Sequence, residues 1–186
     1  MIRQGSIVLR AREAEDVEVL HRELYEDVQG RARSDRRPWR PLPLGTASPY
    51  TFSFDPENDD RPVFSVVEAA SGELAGIAAL WGLDPHNRSA HLGMSLRPAF
   101  RGRGLGTDVV RALCVYGFTV RNLFRLQVDT LGDNAAMIAA ARRNGFTVEG
   151  TMRKAAWVYG RYLDEVVLGL LLDEWTPPAP EPAAHP

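Results

Sequence analysis

The chain has 186 residues, of which 45% are hydrophobic and 25% charged, the balance expected of one globular domain with its own core. A net charge of -2 gives no overall field to attract nucleic acid or an anionic membrane. The longest apolar runs, such as Val166 to Leu172, fall far short of the ~20 residues a membrane helix needs, and Met1-Ile-Arg-Gln-Gly-Ser does not begin a signal peptide, so a cytoplasmic protein is expected.

The single cysteine, Cys114, reads as a buried small hydrophobe, and His21, His86, His91 and His185 lack metal-ligand spacing, so no metal is expected. Ile7-Val8-Leu9 predicts a first strand, and Arg10-Ala-Arg-Glu-Ala-Glu-Asp leads into a helix with Val17, Leu20, Leu24 and Val28 on one face. From Gly30 to Pro62 the chain is rich in Pro, Arg, Ser and Asp, and its apolar residues keep no long period. A loop with short helical pieces is expected there. Its length argues for function and its aromatic residues argue against disorder, which suggests a lid on the substrate side. Within it Trp39 either meets substrate or covers the core. Arg31, Arg33, Arg36, Arg37 and Arg40 crowd one part of the loop, either as solvated charge or as a site for an acidic acceptor or a phosphate.

Val63 to Glu68 and Leu74 to Trp81 predict two strands joined at Ala70-Ser71-Gly72, and Asp84-Pro85-His86-Asn87 turns the chain into the next. Strands two, three and four therefore form an antiparallel meander. In the last of them His91, Gly93 and Ser95 alternate with Leu92, Met94 and Leu96, and Pro98 stops the ladder. Arg101-Gly102-Arg103-Gly104-Leu105-Gly106 follows, and then a helix-compatible run from Thr107 to Phe118. Glycines at a strand-to-helix junction permit positive φ and close approach of a ligand, and the helix N-terminus suits a phosphate or pyrophosphate. No Lys follows them as a nucleotide-hydrolase loop requires, and Thr107 occupies the place of the third Gly in a dinucleotide fingerprint.

Phe124 to Thr130 predicts a further strand, with Asp133 or Asn134 capping a helix that runs to Asn144 and stops at Gly145. Thr147 to Arg153 and Tyr162 to Leu172 predict the last two strands.

Arg101, Gly104 and Gly106 fill the fixed positions of [QR]-x-x-G-x-[GA] after a strand, which resembles motif A of the GNAT superfamily of N-acetyltransferases. In the same order follow Asn134 opening the second helix, Gly145-Phe146 ending it, and Gly160-Arg-Tyr162-Leu-Asp164 before an apolar strand. With the opening Leu9-Arg10-Ala11-Arg12, these resemble the ribosomal-protein N-terminal acetyltransferase branch, over a span from about Ile7 to Trp175. The resemblance implies an α/β (α+β) fold: a mixed, mostly antiparallel central sheet of about seven strands, helices on both faces, and a splay between strands four and five. It implies one domain over residues 1–175, followed by a proline-rich tail, 176–186, expected to be disordered. The implied partners are acetyl-CoA, as acyl-donor substrate, and an amine acceptor, with no nucleic acid or membrane and with a homodimer as the assembly.

Residue by residue, the resemblance implies that the turn Arg101, Gly102, Arg103, Gly104, Leu105, Gly106 and Thr107 binds pyrophosphate. Leu96 would offer its backbone to the pantetheine arm and also polarise the thioester, Asn134 would face the same arm, and Arg97 would be a further cofactor-binding residue. Trp39 and Tyr159 are the candidate acceptor contacts. Two departures bear on mechanism. His91 stands where many members carry Glu on the central strand, and a free imidazole, with a pKa near ~6.5, can still act as general base at pH 7. Met137 and Ala141 stand where the family often places a Ser or Tyr to protonate the leaving thiolate.

The expected chemistry is direct attack of a primary amine on the acetyl thioester. At pH 7 an α-amine of pKa ~7.8 is neutral in about one molecule in seven, a Lys amine of pKa ~10.4 in about one in 2,500, so a weak base favours an α-amine. A peptide or protein N-terminus is the leading acceptor. A small amine, namely an antibiotic, polyamine or amino acid, with acetyl-CoA or another acyl-CoA as donor, is the second reading. An acyl-CoA-binding sensor without turnover, suggested by His91, Met137 and Ala141, is the third.

Overall fold

A computed structural model describes residues 1–35, 37–45, 48–50 and 61–178. The elements in chain order are β1 (Ile2–Gln4), β2 (Ile7–Arg10), α1 (Ala14–Leu20), α2 (Val28–Ser34), β3 (Val63–Glu68), β4 (Leu74–Asp84), β5 (Ser89–Leu96), α3 (Leu105–Val115), β6 (Arg125–Leu131), α4 (Ala135–Arg143), β7 (Thr147–Val158) and β8 (Arg161–Leu171). Helices α1 and α3 each widen into a π-turn, His21–Tyr25 and Tyr116–Val120. The strands form one sheet in the order β1-β2-β3-β4-β5-β6-β8-β7, antiparallel throughout except for β5 with β6.

The sheet has eight strands where about seven are expected. The addition is β1, three residues too short to show a period. A tertiary contact holds its hairpin: the Ser6 amide donates to Asp108 Oδ2 of α3 at 2.9 Å, and at Gly5 (φ 53°) a Cβ would lie 2.5 Å from that oxygen. Where two caps were open for α4, Asn134 takes the role, its side-chain oxygen accepting from the Met137 amide at 3.2 Å.

Alternation along β5 separates two layers. Ala90 and Leu92 point into the main core, with Val109, Val110, Leu113 and Cys114 of α3, Leu126 and Val128 of β6, and Met137 and Ala140 of α4. Burying a side chain of this size contributes about 1.5–3 kcal/mol, and burial pushes the Cys114 thiol up, out of reach of reactivity at neutral pH. On the opposite face Leu20, Leu24, Tyr25 and Tyr50 form a second cluster against Leu74 and Ile77 of β4. Asp16 ties α1 to that face: its carboxylate accepts from Arg10 at 2.6 Å, Ser65 Oγ at 2.7 Å and the Glu13 amide at 2.9 Å.

Strand β8 lies between β6 and β7, and its Leu168 and Leu170 are fully buried in the core. Among the described residues no helix is long and apolar enough to cross a membrane. The expectation for the tail falls mostly outside the described residues, as do those for Arg36 and, over 51–60, for the loop between Gly30 and Pro62.

Candidate active site

The splay expected between the fourth and fifth strands of the sheet lies between β5 and β6, since β1 adds one to the count. Only Ser89↔Arg125, Ala90↔Leu126 and His91↔Gln127 pair before the two strands part. The Arg97 amide donates to Ala75 O of β4 at 2.9 Å, so by alternation Leu92, Met94 and Leu96 present their main-chain groups to the gap. The Leu96 carbonyl accepts from Arg101 Nε at 2.9 Å, which anchors the following turn.

That turn is built for an anion. Gly102 and Gly104 adopt φ of 73° and 82°, and a Cβ on either would meet nothing within 4 Å, so the space over the turn is open. Among the described residues the amides of Gly102, Arg103 and Gly104 donate to no acceptor. Leu105 and Gly106, the first residues of α3, have none within the helix. Converging amides at a positive helix end are a nest for phosphate oxygens. Gly106 serves differently: a Cβ there would sit 3.0 Å from Met94 Cε, so its role is close packing of α3 on β5. The Thr107 amide is already used, on Gly104 O at 3.2 Å.

The side chains around this nest are engaged elsewhere. Arg97 pairs with Glu23 and packs over Phe100, and Arg103 pairs with Glu68 while lying 5.1 Å over the same ring. Asn134 caps α4 and donates to Thr130 Oγ1 at 3.0 Å. The open amides and the uncovered glycines fit the pyrophosphate of acetyl-CoA; no guanidinium is needed to form the cradle.

On the other face of β5, His91 is about one-third exposed. Its Nδ1 lies 2.5 Å from Asp129 Oδ2 of β6, and Trp81 of β4 stacks on the ring, 5.8 Å between centroids at 18°. Gly93 makes this possible, since a Cβ there would lie 2.8 Å from Trp81 Cη2. Met137 is nearly buried and Ala141 fully so, which makes both packing residues of α4. Asp164 accepts from the Lys154 amide at 3.0 Å in the β7–β8 hairpin, a structural role.

Beyond β6, Asp133 holds two arginines: Arg33 of α2, at 2.6 Å, and Arg161 of β8, at 3.6 Å. The Arg33 hydrogen bond keeps the Asp133 carboxyl below the usual carboxylate range. Asp35 in turn is shared by Arg31 and Arg37. A small pocket between α2 and the hairpin tip is lined by Gln29, Arg33, Val158, Tyr159 and Arg161. Tyr159 thus stands in a pocket, exposed. Trp39 does not: its Nε1 donates to Tyr25 O at 2.9 Å and its ring packs on the second cluster, where it covers core.

Sequence reasoning missed Asp129 and Asp133. The visible signal for the former was the alternation Arg125, Gln127, Asp129 against Leu126 and Val128, which places a polar row on one face of a strand. Nothing local tied that row to His91.

The model of the GNAT acetyltransferase domain family matches residues 6–147. The spermidine N(1)-acetyltransferase of Escherichia coli K12 is 28% identical over 161 residues, 87% of this chain and 83% of that protein. A putative ribosomal N-acetyltransferase of Bacillus subtilis, YdaF, is 35% identical over 104 residues, 56% of this chain and 57% of the other. Among solved structures, a spermidine N-acetyltransferase from Vibrio cholerae in complex with CoA and spermine superposes with a TM-score of 0.76 at 21% identity, covering 91% of this chain and 97% of that one. With the sheet splay, the amide nest and the family match in hand, the chain belongs to the GNAT acetyltransferase family and is an acetyl-CoA-dependent N-acyltransferase.

Proposed function

We propose that the acceptor is the α-amine of a peptide or protein, presented beside acidic residues. The observation that carries this reading is the charge on the acceptor side: two pairs of arginines, Arg33 with Arg161 and Arg31 with Arg37, each share a single carboxylate, Asp133 and Asp35. Each cluster retains one positive charge, which repels a polycation and attracts an acidic chain. Asp133 follows Asp129 by four residues, a reach of at most ~14 Å, so a peptide whose first amine meets His91 extends naturally to this pocket.

In the proposed reaction an α-ammonium first loses a proton to His91 Nε2. The neutral amine attacks the thioester carbonyl, forming the C–N bond, while the Leu96 N–H in the gap holds the developing oxyanion. The intermediate collapses with cleavage of the C–S bond, and the second amine proton ends on the departing sulfur through solvent. The products are the N-acetyl amide, CoA thiol and the proton held by His91. A thiolate with a pKa near ~8.5 departs without a dedicated acid, which is compatible with Met137 and Ala141.

The pyrophosphate is assigned to the amides of Gly102 through Gly106, with Leu96 and Asn134 beside the pantetheine arm. Tyr159 contacts the acceptor, the enzyme is cytoplasmic, and a homodimer would use the exposed outer strand β7. The test is CoA release from acetyl-CoA with peptides bearing free acidic or basic N-termini, lysine peptides with blocked N-termini, and spermidine. Fastest turnover of an acidic peptide with a free α-amine supports the reading. Preference for spermidine overturns it in favour of a small-amine acceptor, the reading that the 28% identical relative suggests. Binding of acetyl-CoA without turnover of any amine returns the sensor reading.

A further inference from the structure

We propose that Asp129 is the positioning residue of the acyl-transfer site: its carboxylate accepts the Nδ1–H of His91, fixing the tautomer in which Nε2 carries the lone pair and pointing that lone pair at the acceptor amine. This rests on His91 being the base in the function proposed above, and it extends that reading to a residue 38 positions away in the chain.

The geometry has three parts. The first is the place where the contact forms. Backbone pairing between β5 and β6 ends at His91↔Gln127, and Asp129 lies two residues beyond on the same face as the imidazole. Where the two main chains have separated, this side-chain contact bridges them at 2.5 Å. The bridge spans the mouth of the gap in which the thioester is expected to lie.

The second part is the way the carboxylate is itself held. Gln127 Nε2 donates to Asp129 Oδ1 at 3.0 Å, Arg125 donates to Gln127 Oε1 at 3.1 Å, and Arg125 pairs with Glu149 of β7. One oxygen of Asp129 is thereby turned to Gln127 and the other to His91. Arg125 and Glu149 lie behind Asp129, and from β4 the uncharged Trp81 stacks on the ring. An ionised carboxylate accepts and does not donate, so the nitrogen it meets is the protonated one.

The third part is the freedom of the other nitrogen. Among the described residues Nε2 of His91 has no partner. Gly82 adjoins it with φ 60°, and a Cβ there would lie 3.3 Å from Cδ2 and 4.0 Å from Nε2, so the missing side chain leaves the approach open. A ring stacked on one face by Trp81, anchored at Nδ1 and bare at Nε2 is a pre-set proton acceptor, in the way a carboxylate behind a histidine sets its tautomer in other acyl-transfer sites.

The experiment combines nitrogen-proton correlation NMR of labelled imidazoles with steady-state kinetics, for native protein, Asp129→Asn, Asp129→Glu and His91→Ala. The His91 signals are identified by their loss in His91→Ala. In native protein above the imidazole's titration, His91 is expected wholly as the Nδ1–H tautomer. In Asp129→Asn it should become mixed or Nε2–H, and kcat with an N-terminal peptide should fall by about 10²–10⁴-fold while KM for acetyl-CoA stays within about threefold. Asp129→Glu should restore the tautomer and part of kcat. The double variant should be no slower than His91→Ala alone, because the two act as one unit. An unchanged tautomer in Asp129→Asn overturns the proposal whatever the rates. A changed tautomer with unaltered kcat overturns it as well. Loss of the proper tautomer alongside full activity of His91→Ala strikes a different target, the assignment of His91 as base, so the two failures are told apart.

Discussion

The two sides of the β5–β6 opening are made of different material. On the proposed donor side the open groups are main-chain amides of Gly102 through Gly106, and the nearby Arg97, Arg103 and Arg101 are tied to Glu23, Glu68 and the Leu96 carbonyl. On the proposed acceptor side the groups are side chains from four strands and a helix: Trp81, His91, Asp129, Arg161 and Arg33. A main-chain nest needs only permissive backbone, so it can be written in six consecutive residues. A side-chain constellation needs residues far apart in sequence to converge, so it can vary while the donor site stays constant. This division suits a family in which one donor meets many acceptors.

Substitution can break the contrast in order of expected size. His91→Ala is expected to lower kcat by about 10²–10⁴-fold while leaving acetyl-CoA affinity, read by calorimetry, within about threefold. A kcat within threefold of native would remove the base from the mechanism. On the donor side, Gly104→Val forces a β-branched residue into φ 82° and fills the open cradle. The backbone strain alone costs about 1–2 kcal/mol, and acetyl-CoA should bind at least about tenfold more weakly, with a smaller effect on melting temperature than on affinity.

Arg103→Ala is the complementary test of that side. If the cradle is main chain, losing this guanidinium, which is paired with Glu68, should change KM for acetyl-CoA by no more than about fivefold, the scale of an exposed ion pair. A larger loss means that the side chain and not the amides holds phosphate. The acceptor side should instead respond to charge: Arg33→Glu with Arg161→Glu is expected to raise KM for an acidic N-terminal peptide by about tenfold and to improve spermidine as an acceptor. Equal effects on both acceptors would mean that the pocket lies off the acceptor's path.

The smallest effect concerns the scaffold beneath the acceptor side. Burial pushes Asp16 up, but hydrogen bonds from Arg10, the Glu13 amide and Ser65 outweigh it and hold the carboxyl below its ordinary value. A depressed folded-state pKa contributes stability that is present above the unfolded value of ~3.9 and is lost as pH falls through the folded one. Urea melts of Asp16→Asn should therefore show a stability deficit at pH 6 that narrows as pH drops below about 4. A constant deficit over that range would assign the loss to packing rather than to the ionised carboxylate.

Much of the fold was legible because it is local. Strand period in β3, β4 and β5, the glycine turn and Gly145 after α4 each fit within about a dozen residues, and the order of motifs needs only their succession along the chain. Strand β1 escaped because its stability comes from Asp108, more than 100 residues away. Trp39 was ambiguous for a similar reason: an aromatic residue in a loop has the same local sequence whether it covers core or faces substrate, and only the Tyr25 carbonyl and its ring neighbours decide for core.

By itself the sequence determined the family and the glycine turn after β5, since backbone conformation at a strand-to-helix junction is specified by the residues that form it. It also placed His91 on the central strand, in alternation with Leu92, Met94 and Leu96. Tertiary structure decided the rest. That β5 and β6 part after three pairs is what brings Asp129 across to His91, and that α2 lies beside the β7–β8 tip is what makes Arg33 and Arg161 share Asp133. Those contacts depend on the angle between elements, which is set by how two cores pack on opposite faces of one sheet, and no short stretch of sequence encodes that angle.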